Sequence, residues 1–227
     1  MQRSQTRSIL AAVAAALVWT TVPAFAGVSP LREAKVADLR GEQASTEVRR
    51  MADWAVDSGD PGGLPFVIVD KVNSRVYVFG ADGHLRGASP ALVGAARGDD
   101  TEPGIGSRPI ASIRPEERVT PAGRFNAVMG RGPAGEDILW VDYEQAIALH
   151  RVVTHVPAER RLQRLASHVA AERRITYGCI NVPVAFYEGV VAPTFAGTRG
   201  VVYILPETRK PEDLFTSYAA WHSPAAH

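Results

Sequence analysis

The segment "PFVIVDKVNSRVYVFGADG" at positions 65–83 constrains the fold more than any other stretch of this chain. Two short runs rich in β-branched and aromatic residues, "PFVIVD" and "RVYVFG", flank "KVNS", and "ADG" follows as a second turn. That pattern predicts a β-hairpin opening a mostly β domain. Further strands are expected at Ala91 to Ala95, Gly123 to Met129, Ile138 to Tyr143, Ala146 to Val153 and Gly200 to Leu205. Helical spacing of Val48, Met51, Ala52 and Ala55, with Glu47, Arg49 and Arg50 opposite, predicts a helix that "DSGDPGG" at 57–63 stops. Shorter helical pieces are expected at Pro157 to Ser167 and Phe186 to Val191. Gly98 to Glu117, rich in Gly, Pro and charge, has no clear period and reads as a long loop of the kind that serves a site. Strands interrupted by short helices give an α+β or mainly β class.

The N-terminus bears on the compartment. Arg3 and Arg7 form a basic start, Ile9 to Val18 is apolar, and "PAFA" ends in a small-x-small pattern after Ala26, which together read as a secretory signal peptide over 1–26. The apolar run falls short of the ~20 residues that span a bilayer, so no membrane anchor is expected after cleavage at Gly27. About 200 residues remain, enough for one sizeable core, divided as an N-terminal helical segment over 27–64, a main domain over 65–206 and a tail over 207–227. A periplasmic or secreted location follows. With 46% hydrophobic and 22% charged residues and a formal net charge of +1, the chain has no basic stripe of the kind that binds nucleic acid.

Cys179 is the only cysteine, and in an oxidising compartment a lone cysteine has no internal partner. It is a buried small hydrophobe, an intermolecular bridge or a nucleophile. Its neighbours bear on the choice. Gly178 before it permits a sharp turn and close approach of substrate. The backbone N–H groups of Tyr177, Gly178 and Cys179 are candidates to converge on a developing oxyanion, and Thr176 and Asn181 flank the turn with hydrogen-bonding side chains that would meet substrate. A thiol near pKa ~8.5 needs a base or cation close by, and the candidates are His150 and His155 in "ALHRVVTHVP".

The six histidines form no metal-binding spacing, so no metal site is expected. Asp99, Asp100 and Glu102 read as a solvated loop, and "PGIGSR" lacks the context of a phosphate loop. Trp140 is expected on one side of its strand with Val141 and Tyr143 on the other.

"TYGCIN", with His150 upstream and "TPAGRF" at 120–125, resembles the L,D-transpeptidase family of bacterial cell-wall enzymes. Thr176, Gly178, Cys179 and Asn181 match its Ser/Thr-x-Gly-Cys-x-Asn signature, and the hairpin at 65–83 looks like the family's opening strands. The resemblance covers roughly Pro65 to Pro206. It implies a mainly β fold with short helices, wrapped as a sandwich or barrel. In that reading Cys179 attacks the L,D-peptide bond after the third residue of a peptidoglycan stem tetrapeptide, and an amine acceptor or water resolves the thioester. His150 is the general base, the main-chain carbonyl of Arg151 orients it, and no cofactor is required. Two departures are evident: Tyr177 stands where the family usually has histidine, and the interval from His150 to Cys179 is longer than usual. The added segment, "PAERRLQRLASHVAAERR", is expected as a helix over the cleft. Its Arg160, Arg161, Arg164, Arg173 and Arg174 either meet carboxylates of a stem peptide or form a solvated face. Besides acyl transfer, the alternatives are an L,D-carboxypeptidase or crosslink hydrolase using the same cysteine, and a non-catalytic wall-binding module.

Overall fold

The structure, a computed structural model, describes residues 34–221. The signal-peptide reading of 1–26 lies outside the described residues. Among the described residues, no helix is long and apolar enough to cross a membrane.

Helix α1 (Thr46–Ser58) begins where the Ser45 side chain accepts from the Val48 amide, and ends at Gly59, whose φ of 69° is the left-handed turn that closes a helix. Its buried face is Val48, Met51, Ala52, Trp54 and Ala55. Strands β1 (Phe66–Asp70), β2 (Arg75–Phe79) and β3 (Leu85–Pro90) form an antiparallel meander. Ahead of the site come β4 (Val93–Gly94), β5 (Gly123–Arg131), β6 (Asp137–Asp142) and β7 (Ile147–Arg151). Then come β8 (Arg174–Thr176), just before Cys179, and β9 (Ile180–Val182) and β10 (Arg199–Ile204) beyond it.

Eight of these make one sheet in the order β3-β2-β1-β10-β5-β6-β7-β9, while β4 pairs with β8 in a second, two-stranded sheet. The sheet curls until its edges nearly meet. Leu92, two residues past β3, exchanges amide–carbonyl hydrogen bonds of 2.8 and 2.9 Å with Asn181 of β9. Short helices complete a mixed α/β molecule built around a large, nearly closed sheet.

The unbroken apolar run Phe66-Val67-Ile68-Val69 has a simple cause: β1 is buried on both faces. Val67 and Val69 point into the curled interior with Leu139, Leu149, Ile180 and Val202. Phe66 and Ile68 point outward beneath α1, alongside Tyr77, Phe79 and Tyr203. Phe215, between α5 (Pro211–Leu214) and α6 (Thr216–Trp221), and Tyr218 of α6 fill the same outer core, where Tyr218 meets Trp54 edge-on at 5.8 Å. The N-terminal helix and the C-terminal residues thus share one core with the sheet. Each such fully buried large side chain contributes about 1.5–3 kcal/mol.

The segment Gly98 to Glu117 contains three short 3-10 turns and is anchored at its start by a buried ion pair. Nζ of Lys71, from the β1–β2 turn, donates to Asp99 Oδ1 at 2.8 Å and to the Thr120 carbonyl at 2.9 Å. Asp99 also accepts from the amides of Glu207, Thr208 and Arg209. The expectation of a solvated Asp99 is corrected: the carboxylate is buried and pins the loop to the C-terminal segment.

The expected helix over 157–167 is also corrected. Arg160 adopts φ 50°, which splits the stretch into a 3-10 turn (Pro157–Glu159) and a short helix α2 (Arg161–Ala166). After β9, helix α3 (Val184–Phe186), a π-helical turn (Tyr187–Val191) and α4 (Ala192–Phe195) run on from one another and close the interior with Tyr187, Val191 and Phe195.

Candidate active site

Strands β7 and β9 run parallel with Leu149 opposite Ile180, His150 opposite Asn181 and Arg151 opposite Val182. Leu149 and Ile180 face the interior, so His150 and Asn181 share the outer face. Cys179, two residues before Asn181, returns to that same face.

The turn that carries the thiol requires glycine. Gly178 has φ 130°, and a Cβ there would lie 2.7 Å from the Val119 carbonyl oxygen and 2.8 Å from Ile147 Cδ1. Two threonines hold the turn. Thr176, buried, accepts from the Gly178 amide at 3.2 Å and donates to the Cys179 carbonyl at 2.6 Å. Thr120 of "TPAGRF" donates to the Gly178 carbonyl and accepts from the Gly94 amide, both at 2.8 Å. Thr120 went unassigned in the sequence, although the segment that contains it was singled out. Its neighbour Val119 supplies the backbone that excludes a side chain at 178.

Polarity along the imidazole can be worked out group by group. His150 Nδ1 is 2.7 Å from the Arg151 carbonyl oxygen, which only accepts, so the proton sits on Nδ1. Arg161, which only donates, is 2.7 Å from Asn181 Oδ1, so the Asn181 NH₂ group faces the other way. That NH₂ lies 3.1 Å from His150 Nε2 and donates to it. The basic nitrogen of the neutral imidazole is thus Nε2, and it is capped by Asn181. The thiol itself donates to the Ala146 carbonyl at 3.5 Å. The thiol, just ahead of β9, and the imidazole, on the adjacent β7, each have their own partner.

Burial pushes the Cys179 thiol above its ordinary pKa, opposed by the Ala148 amide and the Arg161 charge. It also pushes the His150 imidazole below its ordinary value, where Arg161 adds to the effect and the Arg151 carbonyl and Glu136 oppose it. Both groups are therefore neutral near pH 7. His150 lines a cleft of about 250 Å³ together with Glu136, Asp137, Val153 and His155.

Three expectations about the site change. The Gly178 amide is taken by Thr176 and is not free to meet an oxyanion, which leaves the amides of Tyr177 and Cys179. Thr176 shapes the turn from a buried position, where it cannot contact substrate. Asn181 is likewise buried and holds the His150 imidazole. Tyr177 packs under Arg118, whose guanidinium carbon is 4.1 Å from the ring centroid.

Four of the five arginines in and after the inserted segment are bound within the chain. Arg164 donates to the Glu159 and Glu172 carbonyls, Arg173 to Asn73 and Ser167, and Arg174 to Glu207 and to the Gly94, Ala96 and Lys71 carbonyls. Arg161 reaches the site. Trp140 and Tyr143 stack at 4.5 Å rather than facing opposite sides, because the β6–β7 register shifts between Trp140 and Asp142. Val141 alone enters the core. Among the described residues, no group of three His, Cys, Asp or Glu side chains is arranged to hold a metal ion.

No family model matches the chain. No curated protein matches it significantly either, so the functional argument rests on the site.

Proposed function

We propose that this chain is an exported cysteine acyltransferase of the L,D-transpeptidase type, acting on peptidoglycan stem peptides. The observation that supports it most is a glycine-preceded Cys179 leading into β9 together with a neutral His150 of defined tautomer on β7, the parallel neighbour of β9. A buried structural cysteine requires neither.

In this scheme the donor is a stem tetrapeptide. The carbonyl carbon of its third residue is attacked by Cys179 Sγ while the thiol proton passes to His150 Nε2, once substrate has displaced the Asn181 amide. Because thiol and imidazole are both neutral at rest, His150 acts as a general base during attack rather than as the partner of a preformed thiolate. The tetrahedral oxyanion is met by the amides of Tyr177 and Cys179. Collapse breaks the peptide bond, and His150 returns the proton to the departing amine of the terminal D-amino acid. An acceptor amine then attacks the thioester by the reverse sequence and regenerates the thiol. Water in place of the amine would give a carboxypeptidase from the same groups. The scheme requires no cofactor, and the N-terminal sequence would place the reaction outside the inner membrane.

Mass spectrometry of muropeptides after incubation with the protein tests the reading. New peptide–amine linkages support transfer, tripeptide stems alone support the hydrolytic variant, and unchanged muropeptides from a folded protein contradict both.

A further inference from the structure

The inserted segment that separates His150 from Cys179 returns to the site at one point, Arg161. Its Nη1 donates to Asn181 Oδ1 at 2.7 Å, and its Nε meets the Glu159 carboxylate at 2.5 Å. The guanidinium is 13% exposed, so its charge is poorly screened. Asn181 is 1% exposed and its amide has two recorded partners, Arg161 on the oxygen and His150 on the nitrogen. The orientation of Asn181 is therefore dictated by Arg161, because a guanidinium cannot accept a hydrogen bond. Were the amide reversed, its oxygen would face the lone pair of Nε2.

We propose that Arg161 is a positioning residue of the site: its guanidinium holds the Asn181 amide on His150 Nε2. This inference rests on Cys179 and His150 as a reacting pair and not on the identity of the substrate.

The other charged or titratable groups around the pair are few. Glu136 and Asp137 line the cleft from the start of β6, Arg151 and His155 line it from β7 and beyond, and Arg118 sits over the Tyr177 ring. Arg161 is the cation whose field lowers both pKa values of the pair. Glu159 pairs with it at 2.5 Å, so the segment brings an opposed charge pair up to Asn181.

Alkylation of Cys179 by iodoacetamide in the intact protein, followed across pH, reads thiolate formation without any substrate. Arg161→Gln is expected to move the midpoint upward by about half a unit or more, and Glu159→Gln to move it downward, because the guanidinium is then uncompensated. Arg161→Lys should recover the Arg161→Gln shift in large part while leaving Asn181 unheld. A His150 imidazole titration by NMR should show a raised pKa in Arg161→Gln. If Arg161→Gln does not fold, the Glu159→Gln profile alone decides. Profiles of Arg161→Gln and Glu159→Gln that superpose on the native one would overturn the proposal, even if wall peptides proved to be substrates.

Discussion

His150 Nδ1 donates to the Arg151 carbonyl oxygen across 2.7 Å, and this contact between neighbours in one strand leaves Nε2, 3.1 Å from the Asn181 amide, as the basic nitrogen of the imidazole. With its tautomer already defined, the imidazole needs only the Asn181 amide displaced from Nε2 before it can take a proton. Replacing His150 by Ala should lower acyl transfer ~10²–10⁴-fold, the usual worth of general-base assistance. His155, exposed and beyond the end of β7, should tolerate the same change with most activity retained. Rates of both purified variants on a tetrapeptide check this, and equal losses would contradict it.

The pH dependence has a definite sign. Burial holds the His150 pKa below its ordinary value, so the imidazole stays neutral, and active as base, to a lower pH than a free one. The acid limb of kcat/KM should fall below the ordinary imidazole value of about 6.5. The same shift affects stability. Below about pH 6.5 the unfolded chain takes up a proton that the folded one resists, so a stability contribution present above that pH is lost as pH falls toward the folded value. An acid limb above 6.5 would contradict the burial argument.

Gly178→Ala places a Cβ against the Val119 carbonyl at 2.7 Å and forces a φ of 130° on an L-residue. Backbone cannot yield there as a flexible side chain would. A loss of at least about 1–3 kcal/mol is expected in urea unfolding, with activity falling further because the thiol moves with the turn. Stability within about 0.5 kcal/mol of native would show that the turn relaxes.

The buried pair Lys71–Asp99 anchors the segment leading to Thr120. Lys71→Met removes the closest cation from the buried Asp99 carboxylate, which keeps the amides of Glu207, Thr208 and Arg209 and the Arg209 guanidinium at 3.8 Å, so the loss should fall below the ~3–5 kcal/mol of a fully unpaired buried charge. Adding Asp99→Asn should recover part of that loss, and a double-mutant cycle with no coupling would contradict the pairing.

Tyr177→Phe should retain most activity. The Arg118 guanidinium lies over the ring face rather than on the hydroxyl, and the backbone amide offered to the oxyanion is unchanged. A loss comparable to that of Cys179→Ala would assign the hydroxyl a proton or a substrate contact.

Much of the sheet was legible because propensity and burial agree. The run "FVIV" sits in a strand buried on both faces, and "GRFNAVM" begins β5 at Gly123 as expected. Strand β3 was not legible: "LRGASP" has weak strand propensity and is held by pairing with β2. Strands β8 and β9 are three residues each, too short for any period to register. Within the site, "TYGCIN" and His150 could be picked out as residues, but Thr176 and Asn181 read as substrate contacts because sequence cannot tell a buried hydroxyl or amide from an exposed one. Arg161 was one arginine of five. Only the fold separates the one that reaches Asn181 from those that bind carbonyls, since the difference arises at Arg160, where a positive φ breaks the helix.

The most direct test of the central claim is the mass of the intact protein after brief incubation with a stem tetrapeptide at neutral pH. The account predicts an adduct equal to the tripeptide acyl group, located on Cys179, with release of the terminal D-amino acid and no adduct on Cys179→Ala. A folded protein whose thiol is alkylated by iodoacetamide, yet which neither gains acyl mass nor releases the D-amino acid, would contradict it.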